Sequence, residues 1–295
     1  MFTQFFGNYL LNEGYLTSEQ LTEALRDMKE SRPKFGVLAM NEGYLTGEQI
    51  EYLHQKQMFE NKRIGDLAVS MGYITQQQVE ELLAKQPAGY LMLGQTLVDK
   101  GYISNIQFSE AINEYKEMYS LSERDLQENH IEKFEKLMSE LYLNDDIEAK
   151  EEYVEYIGLL FNNIIRFIGD DFIPLEVPQM ADSSRCNCAY QDIEGEISFR
   201  SVIEGEGSTL LQFAARYAGD EFEEADEYVI ASAEDFLNLI NGLFAVNMSN
   251  EKNMELKLAP PQFSTECNSV RGEVICCLPI GFTFGTINFI MTKIN

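Results

Sequence analysis

Two polar side chains in the second half of the chain have a spacing that could form a reactive site on a helix. Asp235 and Asn238 lie three residues apart in the segment EDFLNLINGLFAVN, which is predicted to be helical, so their side chains share one face. Glu234 precedes Asn238 by four residues and can share that face, while Gly242, one turn later, lets a partner approach closely. A carboxamide that holds one water molecule can act without a nucleophilic side chain. The simpler interpretation is that these are solvated helix residues; Asn241 is a weaker candidate on the same side.

The other reactive side chains form no recognisable catalytic or metal-binding pattern. His54 and His130 are the only histidines, and neither belongs to a constellation with Cys, Asp or Ser. The five cysteines are odd in number, and they lack both the two-residue spacing of zinc sites and a nearby histidine. They are Cys186, Cys188, Cys267, Cys276 and Cys277. We therefore predict no metal site and reduced thiols.

The elements that must position Asp235 and Asn238 belong to a predicted α+β domain over residues 147–295. A helix ends near Gly169, and strands follow in CNCAYQDIEGEISFRSVIEG. The segment STLLQFAARYA is compatible with a strand or a helix. The long helix comes next, with acidic residues at the end where its dipole favours them. The β-rich segments MELKLAPPQFS, VICCLPIGFTFG and TINFIMT complete a helix, strands, helix, strands order that is typical of α+β domains.

This order resembles the CheX/CheC family of chemotaxis phosphatases, and CheX most. The resemblance depends on GEISFRSVIEGEGSTLLQF, AGDEFEEADEYV, EDFLNLINGLFAVN and MELKLAPPQF, taken in sequence. In that family the long helix carries Glu-x-x-Asn. The Glu anchors the lysine beside the phosphoaspartate of the response regulator CheY, and the Asn positions the attacking water.

The resemblance implies catalytic roles for Asn238 and for an acidic residue beside it. Asp235 stands where the family has Glu, so either Asp235 still reaches the partner's lysine, or Glu234 replaces it, or activity is reduced. The implied partner is a phosphorylated CheY-like receiver in chemotaxis or motility signalling, and magnesium would belong to that receiver. The resemblance also implies a homodimer through this domain.

A phrase near the N-terminus recurs with a period of 29 residues. The copies are FGNYLLNEGYLT, FGVLAMNEGYLT, IGDLAVSMGYIT and LGQTLVDKGYIS. In each, a Gly can end a short helix in the left-handed conformation. A Thr or Ser then precedes Gln by three residues, which predicts a capping box with a hydrophobic staple at the start of a second helix. We expect four helical hairpins over residues 1–118, an all-α region in which stacked neighbours cover one another's apolar faces.

The four copies resemble the N-terminal domain of type II secretion and pilus ATPases, called the MshEN or GspE N-terminal domain. Two consecutive motifs of that family can bind cyclic di-GMP through the Arg and backbone of R-L-G and a closing Gln. The third copy matches the motif best, whereas the second has Lys in place of Arg. The resemblance places a cyclic di-GMP site on Lys34, Gly36, Gln57, Arg63, Ile64, Gly65 and Gln86. The alternative is that all four copies are packing modules without a ligand.

Charge and hydropathy limit the class of partner. The net charge is −27, of which −6 lies in residues 1–117 and −21 in the remainder. The acidic second half would repel nucleic acid and anionic lipid. No apolar run approaches 18 residues and no signal peptide opens the chain, so we expect a cytoplasmic protein without membrane insertion. Residues 119–146 are predicted to be a charged helical linker.

These observations predict a phosphatase of a CheY-like response regulator with an N-terminal helical regulatory or docking module. The alternative is a non-catalytic signalling adaptor, or a cyclic di-GMP sensor, that binds a receiver or a secretion or pilus component. No cofactor other than this nucleotide ligand is expected.

Overall fold

A computed structural model describes residues 2–28, 33–60, 62–84, 89–118, 138–139, 141–143, 147–175, 186–224, 227–270 and 272–294. The chain divides into two compact units, Met1–Lys133 and Phe134–Asn295. Most of the predicted linker over residues 119–146, including His130, lies outside the described residues.

The described residues of the N-terminal unit form successive pairs of helices. Their bounds are α1 Phe2–Asn12, α2 Ser18–Asp27, α3 Phe35–Asn41, α4 Gly47–Gln57, α5 Ile64–Ser70, α6 Gln76–Ala84, α7 Gly89–Asp99 and α8 Asn105–Met118. The members of each pair fall within one copy of the 29-residue phrase.

The second helix of each pair begins at a capping box. The backbone N–H of Gln20 donates to Thr17 Oγ1 over 3.3 Å, and the backbone N–H of Thr17 donates to Gln20 Oε1 over 2.9 Å. The same two bonds join Thr46 and Gln49, Thr75 and Gln78, and Ser104 and Gln107. The glycines before these boxes have φ between 68° and 73°; they are Gly14, Gly43, Gly72 and Gly101. The local prediction of caps and left-handed glycines is therefore confirmed.

The first glycine of each copy provides space between the two helices of its pair. A Cβ placed on Gly36 would lie 3.2 Å from Ile50 Cγ2, and Ile50 is the staple residue of the following helix. The equivalent pairs are Gly7 with Leu21, Gly65 with Val79, and Gly94 with Phe108. The repeated glycine thus lets the backbone of the first helix approach the buried side chain of the second.

Simple stacking predicts that each helix pair packs only with its neighbours in sequence. The observed packing differs. Helix α7 packs against α1, α2 and α3, and α8 packs against α4. Aromatic contacts between the first and fourth pairs account for this packing. The buried ring of Phe6 meets Tyr90 and Phe108 edge to face, each with ring centroids 6.3 Å apart. The first and fourth pairs therefore cover each other, which removes apolar end faces that an open stack would leave.

The described residues of the C-terminal unit form helices packed on an antiparallel sheet. The helices are α9 Lys150–Asn163, which continues as a π-helix over Ile164–Ile168, α10 Gly207–Ala218, α11 Glu227–Lys252 and α12 Cys267–Val270. The strands are β1 Phe172–Pro174, β2 Cys186–Gly195, β3 Phe199–Glu206, β4 Leu256–Leu258, β5 Gln262–Ser264, β6 Val274–Phe282 and β7 Gly285–Thr292. Their order is β1-β6-β7-β3-β2-β4, and β5 also pairs with β2. The predicted mixture of helix and sheet is confirmed.

The segment STLLQFAARYA, compatible from sequence with either structure, is helical and lies in α10. Leu210, Phe213 and Ala214 recur at helical spacing and are all buried. The Phe213 ring meets Phe236 of α11 edge to face at 5.0 Å. This apolar contact places α10 beside α11 and helps to fix which face of α11 remains outside.

Candidate functional site

The long helix α11 presents its predicted polar residues on the face that does not enter the core. Its apolar residues Phe236, Ile240 and Phe244 are fully buried, and the helix packs against α10, α9 and strand β2. Asp235 and Asn238 are both exposed, as their three-residue spacing predicts. The two side chains are thus accessible to a partner.

The carboxamide of Asn238 is held from behind by a buried glutamine of the sheet. Gln191 of β2 is 1% exposed, and its Nε2 donates to Asn238 Oδ1 over 2.8 Å. The same Nε2 donates to the backbone carbonyl of Ala259 over 2.7 Å. No hydrogen bond from Asn238 Nδ2 occurs within the part of the chain that the structure describes. Asn238 is therefore anchored through its oxygen while its amide nitrogen remains available.

Two further buried side chains extend this arrangement inward. Asn241 Nδ2 donates to Gln191 Oε1 and to Ser201 Oγ, each over 2.8 Å. The hydroxyl of Tyr156, in α9, donates to Asn241 Oδ1 over 2.7 Å. We call Asn238, Gln191, Asn241 and Tyr156 the amide network. It connects the exposed face of α11 to the core of the unit.

The structure corrects the interpretation of Asn241 as a surface candidate. Its side chain is 0% exposed and both polar atoms are bonded inside the protein. The three-residue step from Asn238 turns Asn241 toward the sheet, because that side of α11 faces β2. Asn241 cannot contact a docked partner and acts instead as a buried support.

The carboxylate of Asp235 already has a partner within the protein. The hydroxyl of Tyr217, in α10, donates to Asp235 Oδ2 over 2.7 Å. Burial and this carboxylate together raise the pKa of Tyr217 above its ordinary value, so the phenol stays protonated. Asp235 remains exposed, but a cation that binds it must share the carboxylate with Tyr217.

The carboxylate of Glu234 has no hydrogen-bond or ion-pair partner among the described residues. It is half-buried, and burial raises the pKa of its carboxyl above the ordinary value. It precedes Asn238 by four residues, so the two side chains are neighbours on the helix surface. Glu234 is therefore the uncommitted acid beside Asn238.

The surface beyond Asn238 is open and partly apolar. A Cβ placed on Gly242 would meet no atom within 4 Å, as expected for a position where a partner can approach. Leu243 and Val246, further along the helix, are 37% and 56% exposed. A docked protein would thus meet polar residues followed by an apolar strip on one helix.

Sequence reasoning did not identify Gln191, Ser201, Tyr156 or Tyr217. Gln191 had a weak signal, because it occupies an inward position between Ala189 and Ile193 in an alternating strand, where an apolar residue is expected. A polar residue at such a position needs buried partners. The partners themselves lie on other elements, so the strand pattern could not name them.

The residues proposed for cyclic di-GMP from the second copy are largely engaged within the N-terminal unit. Lys34 Nζ pairs with Asp99 Oδ1 at 2.6 Å, and its backbone N–H donates to Gln95 Oε1 over 2.8 Å. Gln57 Nε2 donates to the carbonyl of Lys62 over 2.8 Å. Gly36 is buried under Ile50, as described above.

The third copy leaves its arginine available. Arg63 is exposed and has no hydrogen-bond or ion-pair partner among the described residues, Ile64 is half-buried, and Gly65 is buried. A Cβ on Gly65 would lie 3.7 Å from the ring of Phe35, so the second and third copies meet at this glycine. Gln86 lies outside the described residues.

The cysteines are buried thiols on the sheet and α12. All five are thiols rather than disulfides, and four of them pack into one apolar cluster on the face of the sheet that α12 contacts. Within the described ranges, no group of three His, Cys, Asp or Glu side chains is arranged to hold a metal ion.

By length and composition, one helix among the described residues, α11, could cross a membrane. Its packing against the sheet through Phe236, Ile240 and Phe244 is also what the core helix of a globular domain shows. The cytoplasmic location stays a prediction.

Comparison with known proteins finds structural likeness for about half of the chain. No protein-family model and no curated protein matches the sequence. The CheX–CheY–BeF3–Mg complex from Borrelia burgdorferi matches with 16% identity and a TM-score of 0.39, covering 48% of this chain and 98% of that chain. Chemotaxis protein CheX from Vibrio vulnificus matches with 13% identity and a TM-score of 0.40, with the same coverage. A CheC-like superfamily protein from Shewanella sp. PV-4 matches with 15% identity and a TM-score of 0.39, covering 50% of this chain and all of that chain. We transfer no function from these structures to this chain at these identities and scores.

Proposed function

We propose that the C-terminal unit accelerates the loss of phosphate from the phosphoaspartate of a CheY-like response regulator. The observation that carries the proposal is the exposed carboxamide of Asn238, which a buried amide holds from behind. The helix-borne acid and amide, together with the order of the surrounding segments, supply the class of partner through the sequence resemblance to CheX. Gly242 and the open surface around it give such a partner room.

The reaction is hydrolysis of an acyl phosphate. The oxygen of one water attacks phosphorus, the bond from phosphorus to the aspartate oxygen breaks, and the products are a free aspartate carboxylate and inorganic phosphate, with the water protons on the phosphate or in solvent. The main barrier is one of positioning and charge stabilisation, and magnesium on the receiver would stabilise the developing charge. Asn238 would hold the water in line, because among the described residues its Nδ2 and the second lone pair of its Oδ1 are not engaged and the side chain is exposed.

The acidic residue beside Asn238 would bind the cationic side chain at the receiver's site. We assign this role first to Glu234, whose carboxylate is uncommitted, and second to Asp235, which Tyr217 already engages. Glu234→Gln should then weaken receiver binding more than Asp235→Asn does. The reverse order would return the role to Asp235.

The test is the rate of phosphate release from a phosphorylated receiver, with and without the full chain. The wild-type protein should accelerate release, and Asn238→Ala should abolish the acceleration while the far-ultraviolet circular dichroism is unchanged. Asn250→Ala is the matched control, because Asn250 is an exposed asparagine of the same helix without a bond to the amide network. Acceleration that survives Asn238→Ala would refute the assigned role.

The competing function is a non-catalytic adaptor. It predicts that the receiver binds with no change in the rate of phosphate loss, and that Asn238→Ala alters neither quantity. Binding measured by titration beside the release assay separates the two functions. Light scattering of the same samples tests the predicted homodimer.

A second candidate activity, binding of cyclic di-GMP by the N-terminal unit, is supported by Arg63, which is exposed and has no partner among the described residues. Calorimetric titration of the nucleotide should give saturable heat with the wild type and none with Arg63→Ala. Arg26→Ala, which removes another exposed arginine of the same unit, should retain the heat. No heat with the wild type would leave the repeats as packing modules.

A further inference from the structure

We infer that Gln191 is a positioning residue that fixes both the rotamer and the amide orientation of Asn238. The inference rests on the proposed phosphatase function and adds a residue that lies on a different element and never meets the partner. It concerns how the reactive amide is prepared before a receiver docks.

The orientation of the Gln191 amide is determined by the backbone carbonyl of Ala259, which can only accept hydrogen bonds. Nε2 lies 2.7 Å from the carbonyl oxygen of Ala259 and 2.8 Å from Asn238 Oδ1, so each of its two hydrogens has one acceptor. Turning the Gln191 amide over would place Oε1 against the Ala259 carbonyl, and two acceptors would then face each other. The nitrogen must therefore point to Ala259, and Asn238 must offer its oxygen.

The Ala259 carbonyl is itself held in place by the chain around it. Strand β4 pairs with β2 at residues 193–195 and β5 pairs with β2 at residues 188–190, so the connection between them passes Gln191. The backbone N–H of Ala259 donates to the carbonyl of Asp192 over 3.0 Å. Pro260 and Pro261 follow, and their restricted φ angles limit the conformations of this connection.

The other end of Gln191 is held by the buried part of the amide network. Its Oε1 accepts from Asn241 Nδ2, whose second hydrogen goes to Ser201 Oγ. Asn241 Oδ1 then accepts from the Tyr156 hydroxyl. The donors and acceptors of each amide in the network are therefore consistent with the orientation of the Gln191 amide. A reversal of one amide would require the reversal of all, and the Ala259 carbonyl opposes it.

Asn238 consequently presents one defined hydrogen-bonding pattern to the outside. Two N–H hydrogens and one oxygen lone pair of Asn238 are left to bind a water molecule on the exposed side of the helix. A group held in this way does not have to reorganise during the reaction, which is the general advantage of a preorganised site. Gln191 removes the alternative orientations of the Asn238 amide and does not itself touch the substrate.

The test compares Gln191→Leu, Gln191→Glu and Ile193→Val in the full chain, with initial rates measured against receiver concentration. Gln191→Leu should lower kcat by roughly tenfold to a hundredfold, the range for a slightly misplaced reactive group, and leave KM unchanged. Ile193→Val, a fully buried change on the same face of the same strand, should alter neither value.

Gln191→Glu provides a readout besides activity and a second variant if Gln191→Leu does not fold. The oxygen that replaces Nε2 carries at most one hydrogen where two are needed, so Asn238 should turn its Nδ2 inward. In nuclear magnetic resonance spectra, one side-chain amide proton of Asn238 should then become protected from solvent exchange, whereas both exchange freely in the wild type.

The outcomes separate the inference from the function on which it rests. A wild-type protein that does not accelerate phosphate release overturns both. An active wild type with unchanged kcat in Gln191→Leu, or with equal loss in Ile193→Val, overturns the inference alone. Unchanged protection of the Asn238 amide in Gln191→Glu also overturns it.

Discussion

One methyl group added at equivalent positions of two helix pairs should have opposite effects on stability. Gly7 and Gly94 occupy the same place in the first and fourth pairs. A Cβ on Gly7 would lie 3.4 Å from Leu21 Cδ1, close to an ordinary contact with the end of a flexible side chain. A Cβ on Gly94 would lie 2.2 Å from Phe108 Cε2, with two more ring carbons within 2.9 Å.

The magnitudes follow from these distances. Carbon atoms pack at about 3.5 Å or more, so the Phe108 ring must move by about 1.3 Å to admit the methyl group at Gly94. Phe108 is 0% exposed and contacts Phe6, so the ring has little room to move. Overpacking of this kind costs about 1–3 kcal/mol. Replacement of Gly by Ala inside a helix returns up to about 1 kcal/mol.

We therefore expect Gly7→Ala to be neutral or stabilising by up to about 1 kcal/mol, and Gly94→Ala to be destabilising by up to about 2 kcal/mol. Hydrogen exchange of peptides from residues 89–118, measured on the full chain by mass spectrometry, reports the stability of the N-terminal unit. Protection should fall about tenfold for each 1.4 kcal/mol lost. Equal protection in the two variants would refute the claim that interhelical space requires glycine at Gly94 and not at Gly7.

Three further predictions concern the buried amide, the uncommitted acid and the caps. Asn241→Leu should lower the denaturant midpoint of the C-terminal unit, because each buried polar group that it leaves unpaired, Gln191 Oε1 first, costs about 1–3 kcal/mol; an effect no larger than that of Asn250→Leu would contradict this. Burial raises the pKa of Glu234 in the folded state, so the protonated carboxyl favours folding below the unfolded pKa and this stabilisation is lost as the pH rises. Glu234→Gln removes the buried charge, so it should stabilise the fold at pH 7 and not below about pH 4. Thermal scans at the two pH values check this, and an equal gain at both would exclude the desolvation argument. Thr75→Ala should cost about 1 kcal/mol by removing a capping box, measured by hydrogen exchange in α6, where unchanged protection would be the contrary result.

The features that depend on nearby residues could be predicted from sequence. The capping boxes, the left-handed glycines and the helical character of the segment with Asp235 and Asn238 follow from bonds and angles within a few residues. The exposure of Asp235 and Asn238 follows from helical spacing combined with an apolar opposite face. In contrast, STLLQFAARYA remained ambiguous, because short apolar segments suit both structures.

The arrangement of the helix pairs could not be predicted from the repeat. An identical local pattern in each copy suggests identical neighbours. The pattern requires only apolar residues at the positions of Phe6 and Phe108, however, and Tyr90 has polar residues at the equivalent positions of the other copies. These three rings bring the first and fourth pairs together. The same difference in side chains gives Gly7 and Gly94 different surroundings at equivalent positions.

The sequence by itself therefore determined the local structure of the chain: where helices begin and end, and which residues share a helix face. It also determined that a carboxamide and two acids lie together on one such face. Only the tertiary structure decided what each of these polar groups is bonded to. It paired Asp235 with Tyr217, left Glu234 without a partner in the described part of the chain, buried Asn241 and placed Gln191 behind Asn238. The physical reason is that a hydrogen bond between side chains 18 or more residues apart depends on how separate elements pack together, and no periodicity within a single element contains that information.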